Sequence, residues 1–330
     1  MDRRTFTGSC IGGLLAAPLA VAQTQTVAPA GNRGVPRVGR LSEGGPSDFT
    51  MFREAMRLLG HDRIVMEDRP ALGVYARLPE LAAELVALKV DAIWTPGSGA
   101  TQAAMAATRT IPIVMVSGDA LAAGLVRNLA RPEANVTGLT LVGTEVVGKR
   151  LEVMLQFTPR IERMVAVMPG VGTSTVPIVA EWLRQSEAAA QALRLDFGAH
   201  ELPMDSTQWD AHFQSLAARP GTALSLMESP LFFSARELLA ALAVKHRLPM
   251  SCTFQEQVRA GGLFSYGVTL TYITGRVAYY VARVLGGARP GELPVEQPTK
   301  YELSLNLRTA QALGLAVPRS LSLRADEVIQ

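Results

Sequence analysis

A chain of 330 residues that is 48% hydrophobic and 18% charged, with a net charge of +3, is long enough for two domains and too apolar to stay disordered. Its basic residues are interspersed and form no dense run, which excludes a protein built to neutralise a nucleic-acid backbone. Cysteine occurs only at Cys10 and Cys252, which excludes a disulfide scaffold and a multi-cysteine zinc site.

Residues 1–22 read as an export signal. Arg3 and Arg4 form a basic head, an apolar run follows over 11–21, and Ala20, Val21 and Ala22 give a small-x-small cleavage pattern. The paired arginines followed by Phe6 resemble a twin-arginine signal, although ordinary Sec signals carry such pairs too. Cleavage after Ala22 removes Cys10 and leaves Cys252 as a single thiol, expected to be a small buried residue. Residues 23–35 are a flexible lead-in. No later segment reaches membrane-spanning length, so the mature protein is expected to be soluble and periplasmic.

The mature chain then alternates strands and helices. A strand over 35–42 is closed by Gly44, Gly45 and Pro46, and Ser47 or Asp48 caps a helix with Phe49, Phe52, Met56 and Leu59 on one face. A strand over 64–68, a helix over 78–89, a strand over 90–95, a small-residue helix over 100–108 and a strand over 111–116 follow. A second series repeats the order: strand 164–168, helix 176–193, strand 197–202, a helix through Trp209, Phe213 and Leu216, strand 222–227, helix 234–246, and strands 248–253 and 262–266. Repeated βα units imply an α/β fold with parallel sheets covered on both faces, in two similar doubly wound lobes. The remainder offers one helix over 273–285, a Pro/Gly-rich link, a strand over 300–306 and a short helix over 309–313. These are too few for a third core and are expected to complete the two sheets. The division expected is 36–145 with 267–290 as the first lobe, 146–266 with 300–330 as the second, and 291–299 as a crossing link.

Catalytic signatures are missing. There is no P-loop, no G-x-S-x-G elbow and no G-x-G-x-x-G after the first strand. The four histidines have no metal-ligand spacing, and His246 sits where a helix dipole would meet it. No catalytic residue, cofactor or metal is therefore expected, apart from Asp119 and Glu228, a carboxylate pair that an exported α/β enzyme would use as acid and base. Polar residues do collect at strand carboxyl ends, the ligand-binding edge of an open α/β sheet. In the first lobe these are Ser42, Ser98, Thr101, Ser117 and Asp119; in the second, Glu228 and the run Thr253-Phe254-Gln255-Glu256, which brings the aromatic Phe254 with it. Ser98 and Thr101 open a helix whose free N–H groups suit an anion, and plain N-capping explains them equally.

The runs VSGDALAAGLV (116–126), LARPEANVTG (129–138), KRLE (149–152), AGGLFSYG (260–267), QPTKYEL (297–303), AQALGLAVP (310–318) and RADEVI (324–329) resemble bacterial ABC-transporter substrate-binding proteins of the tryptophan/tyrosine type. The resemblance runs in order along the mature chain. It implies a type I periplasmic-binding fold: two Rossmann-like lobes, three crossovers, and a small-molecule ligand enclosed at the hinge. It also implies a non-enzymatic receptor that acts as a monomer, serves an inner-membrane ABC permease and binds no nucleic acid; a sensory subunit would share the same physics. The chain departs from the pattern at Ala120, at Met168-Pro169-Gly170 and at Ser229, where the family often has Pro, Asn-Pro-Asn and Asp. A carboxylate-bearing solute, an amino acid above all, is the ligand expected: Ser98 and Ser117 would hold its carboxylate, Asp119 or Glu228 its ammonium, and Phe254 and Tyr266 would stack on its side chain.

Overall fold

The computed structural model describes residues 34–141, 144–158, 160–170 and 177–330; the expected export signal and nearly all of the lead-in lie outside the described residues. The first sheet is built from β1 (Arg37–Ser42), β2 (Val65–Pro70), β3 (Ala92–Pro96), β4 (Ile113–Ser117) and β5 (Val136–Thr140), in the order β2-β1-β3-β4-β5. All its pairings are parallel. Such a sheet must be covered on both faces, and β4 (IVMVS) is buried along its whole length. Its side chains alternate between two cores. Val114 and Val116 join Phe52 and Met56 of α1 (Thr50–Leu58) and Ile273, Val277 and Val281 of α10 (Leu270–Leu285). Ile113 and Met115 join Leu81 and Leu85 of α2 (Leu78–Ala87) and Ala100 and Ala104 of α3 (Ser98–Ala107). Each fully buried Ile, Val or Met contributes roughly 1.5–3 kcal/mol.

The second sheet has seven strands: β6 (Arg163–Pro169), β7 (Asp196–Leu202), β8 (Thr222–Leu226), β9 (Met250–Cys252), β10 (Phe264–Gly267), β11 (Glu302–Asn306) and β12 (Glu327–Ile329), in the order β12-β11-β10-β9-β8-β6-β7. Its part from β7 to β10 repeats the order of the first sheet, so the architectural repeat expected from the sequence is present. One face carries α6 (Trp209–Ala217) and α8 (Arg236–Lys245), whose Trp209, Phe213, Leu239 and Leu242 meet Val165, Val167, Leu224 and Leu226. On the other, Leu151, Met154 and Phe157 of α4 (Thr144–Phe157) meet Met164, Phe264 and Leu305. Next to α4 packs α5 (Pro177–Ala192).

The C-terminal pieces divide between the two sheets. α10 packs on the first sheet, while β11 pairs antiparallel with β10 and β12 parallel with β11. The chain passes between lobes after β5, between β10 and α10, and through the link before β11. That link lies along β5: Thr140 N–H donates to the Glu296 carbonyl at 3.0 Å, and Glu296 N–H to the Gly138 carbonyl at 2.9 Å. The Glu296 carboxylate is held in turn by Arg276 and Tyr272 of α10.

Some local structure differs from expectation. β5 and α4 have no counterpart among the predicted elements. Gly138 interrupts the apolar pattern of β5, and Lys149 with Arg150 interrupts that of α4. The helix expected over 234–246 is broken at Ala235 into α7 (Pro230–Ser234) and α8, because the chain already turns helical at Pro230, behind the Ser229 cap. Cys252 is buried as expected, and burial raises its thiol to about 12.

Candidate functional site

The carboxyl ends of the parallel strands of the two sheets face one another, and the cavity between them is lined from both lobes. Gly118, Asp119 and Leu141 come from the first lobe, and Met227 and Glu228 follow β8 in the second. α4 contributes Val146, Val147 and Arg150, and α5 contributes Glu181, Trp182 and Gln185. An inner extension toward the hinge adds Thr253, Phe254, Gly267, Val268 and Tyr301.

Arg150 occupies the floor. It lies on the buried stripe of α4 with Val146, Val147, Met154 and Phe157 and is only 8% exposed. Its Nε donates to the Tyr266 carbonyl at 2.8 Å, where the chain leaves β10 for the first lobe. A longer contact of 3.5 Å runs from Nη2 to the Thr253 carbonyl. That edge is itself pinned by Gln257 on α9 (Gln255–Arg259), whose Oε1 accepts from Thr253 N, Thr253 Oγ1 and Phe254 N at 2.8–2.9 Å. Burial pushes the guanidinium below its ordinary value, and the field of Glu228 opposes this. Glu228 answers in kind: burial raises its carboxyl to about 7, with Arg150 pulling the other way. Glu181 differs, because bonds from Arg184 and Gln185 satisfy its carboxylate and lower it to about 2.

Three of the residues singled out from the sequence reach this cavity: Asp119, Glu228 and Phe254. Asp119 also closes its own loop, with Oδ1 accepting from Leu121 N at 3.0 Å and Ala122 N at 2.9 Å. Phe254 meets Phe233 of α7 edge to face at 5.8 Å and packs into the core that serves the first lobe. The other five lie outside the lining. Ser42 Oγ accepts from Gly44 N at 3.1 Å, and Ser98 Oγ and Ser117 Oγ bond each other at 2.8 Å. Thr101 is fully buried, donating to the Gly97 carbonyl at 2.7 Å and bonded to Thr95 Oγ1 at 2.8 Å. The Tyr266 ring stacks on Tyr301 at 5.9 Å.

The anion position expected at the start of α3 is filled by the protein's own Glu43. Its Oε1 accepts from Ala100 N at 3.1 Å, and Gly99 N also donates to the carboxylate. Burial raises this carboxyl, while the helix N–H groups pull it down. Gly97 makes the fit possible: at φ +128, an added Cβ would lie 2.7 Å from Glu43 Oε1. The only lining cation among the described residues is therefore Arg150 of the second lobe, not a helix terminus of the first. Its sequence signal is a charge on the apolar stripe of α4. Trp182 gives no comparable signal.

Among the described residues no His, Cys, Asp and Glu are grouped to hold a metal ion. His200 and His212 bond each other at 2.8 Å, and His246 ends α8 against Asp210.

Two parallel, doubly wound lobes joined by three crossings and enclosing a polar and aromatic cavity define a type I periplasmic-binding fold. Residues 60–329 match the ABC transporter substrate binding protein family, and the chain belongs to that family. These are substrate-binding proteins rather than enzymes, so the acid–base alternative for Asp119 and Glu228 falls. The chain is 23% identical over 256 residues to the tyrosine-binding protein of Clostridioides difficile (strain R20291), covering 77% of this chain and 72% of that one. Among solved structures it is similar to the ABC domain in complex with L-Trp from Streptococcus pneumonia, with a TM-score of 0.80 and 19% identity over 90% of this chain and 100% of the other. A ligand-free, open substrate-binding protein with adhesive properties from Clostridium difficile aligns with a TM-score of 0.61 and 20% identity, covering 90% of this chain and 100% of that one.

Proposed function

We propose that the protein is the solute receptor of an ABC importer and that it captures an amino acid between its lobes. One observation carries the ligand class: a buried guanidinium, Arg150, and a half-buried carboxylate, Glu228, share one cavity wall. A zwitterion complements that pair. Its carboxylate takes the guanidinium in charge-assisted hydrogen bonds, and its ammonium takes Glu228, with Asp119 across the cleft. Leu141, Val146, Val147, Trp182 and Met227 offer the side chain an apolar and aromatic wall. The tyrosine-binding and L-Trp-bound relatives support an amino acid and leave open which one. Membership of the family supports delivery to an inner-membrane permease.

Periplasmic location is part of the same reading. It rests on Arg3, Arg4 and the Ala20-Val21-Ala22 pattern, and no helix among the described residues is long and apolar enough to cross a membrane. N-terminal sequencing of material from the native host should find a start near Gln23.

The ligand class is tested by calorimetry and thermal melting with L-tryptophan, L-tyrosine and a panel of other amino acids. A ligand at a hundred times its Kd raises stability by about 2.7 kcal/mol. If no amino acid shifts the melt, and mass spectrometry finds a ligand without an ammonium group in the purified protein, the reading is wrong.

A further inference from the structure

The lobes touch at a second place, away from the hinge. The loop after β1 is pinned from several sides. Ser42 Oγ accepts from Gly44 N, Gly73 N donates to the Glu43 carbonyl at 2.8 Å, and Leu72 N donates to the Gly44 carbonyl at 3.0 Å. Arg40, itself 8% exposed, donates from Nη1 to the Gly45 carbonyl at 3.3 Å and to Asp68 Oδ1 at 2.9 Å, while Asp68 Oδ2 accepts from Ser47 N at 3.1 Å. This held loop meets the start of α7 in the other lobe. Gly45 N–H donates to Ser234 Oγ at 3.1 Å. A Cβ on Gly44 would stand 2.7 Å from the Pro230 carbonyl oxygen and 2.9 Å from Ser234 Oγ, so only glycine allows this approach. Beside it, the Tyr75 hydroxyl bonds Glu43 at 3.4 Å and interacts with Ser229 across the gap between the lobes, and Gly73 faces Met204 and Leu231.

The position of these contacts matters. The crossings run beside β5 and β10, whereas the contacts sit at β1 and β2, on the opposite edge of the first sheet. With strands about 4.8 Å apart, β1 lies three strands, roughly 14 Å, from β5. A rotation about the hinge therefore parts this edge early, and a contact there resists opening with a long lever arm.

We infer that the Gly44–Gly45 loop and the Ser229–Ser234 turn form a catch that locks the lobes closed, separate from the ligand's own contacts. The inference rests on the reading of the chain as a lobe-closing receptor. Its loop side is rigid before closure, because its pins all come from the first lobe. Closure adds the Gly45–Ser234 bond, the Tyr75–Ser229 interaction and the fit at Gly44, so the catch slows ligand release without contributing to ligand choice.

A disulfide trap tests it without a ligand. An ideal Cβ at position 45 lies 3.9 Å from Ser234 Cβ, within the range a disulfide spans. The Gly45→Cys/Ser234→Cys chain, made with Cys10→Ser, should oxidise to a peptide linking positions 45 and 234; buried Cys252 does not compete. Adding Gly44→Ala should slow cross-linking about tenfold. Tyr75→Phe, which keeps the ring and removes only the hydroxyl, should slow it severalfold and covers the case of a Gly44→Ala chain that folds poorly. No 45–234 link, or a rate unchanged by both substitutions, overturns the catch. Failure of the amino-acid reading looks different: the link forms and responds to Gly44→Ala, yet neither L-tryptophan nor L-tyrosine shifts the melt.

Discussion

Under the proposed function, Arg150 combines a structural duty with a recognition duty. Its Nε ties α4 to the end of β10, and the rest of the guanidinium faces the cavity. Arg150→Met should weaken amino-acid binding by about 2–5 kcal/mol, roughly thirtyfold to several-thousandfold, because it leaves the ligand carboxylate buried without a partner. Arg150→Lys should recover part of it, since lysine keeps the charge and loses the planar fork. Calorimetry on the two variants checks both, and equal affinities across wild type, Lys and Met would place the carboxylate elsewhere.

Glu228 gives the site a pH dependence. Its carboxyl is raised from 4.5 to about 7 by burial, so the folded protein holds this proton at a pH where the unfolded chain has lost it. The resulting stability is fully present below about pH 4.5 and is lost as pH rises through about 7. Ligand affinity runs the other way, because an ammonium group requires the ionised carboxylate: it should climb as pH rises through 7. Glu228→Gln should flatten both trends, seen as melting temperature and Kd against pH. A Kd slope that survives the substitution would assign the ammonium to another group.

At the scale of elements, the start of α3 turns on one backbone position. Gly97 combines a positive φ with the close approach of Glu43, whose carboxylate takes the N–H groups of Gly99 and Ala100. Gly97→Ala should cost roughly 1–3 kcal/mol for the backbone alone, and more if the carboxylate is displaced. Chemical denaturation reads the loss. The same junction explains why the sequence misled at this point. A Pro-Gly-Ser-Gly run opening a helix has the chemistry of an anion site, and only the fold reveals that an acidic residue 57 positions from Ala100 fills it. Arg150 is the converse case. Lys149 and Glu152 beside it are charged and exposed at the surface of α4, and the packing of α4 against β10 turns Arg150 inward.

For the whole molecule, the proposed receptor function makes closure a rotation of the two lobes about the three crossings. Small-angle scattering should show the radius of gyration fall when a bound amino acid closes the lobes, and the same data should return the mass of a monomer. An unchanged radius with saturating ligand would mean that the lobes do not open in solution.

The sequence by itself determined the α/β class, the two matched βα series and the absence of an independent third core. These follow from local rules: apolar runs of strand length, helical spacing, and Gly/Pro punctuation. It also placed Asp119, Glu228 and Phe254 at strand carboxyl ends, because the βα alternation dictates which ends gather. Only the tertiary structure decided which polar groups are already satisfied. Ser42, Ser98, Ser117 and Thr101 are used up by neighbours within their own lobe, and Glu43 plugs the helix terminus beside them. It also decided that the cavity's lining cation among the described residues is Arg150 and that Trp182 joins its wall. Hydrogen-bond partners and cavity linings depend on residues far apart in the chain meeting in space, and no local pattern encodes that meeting.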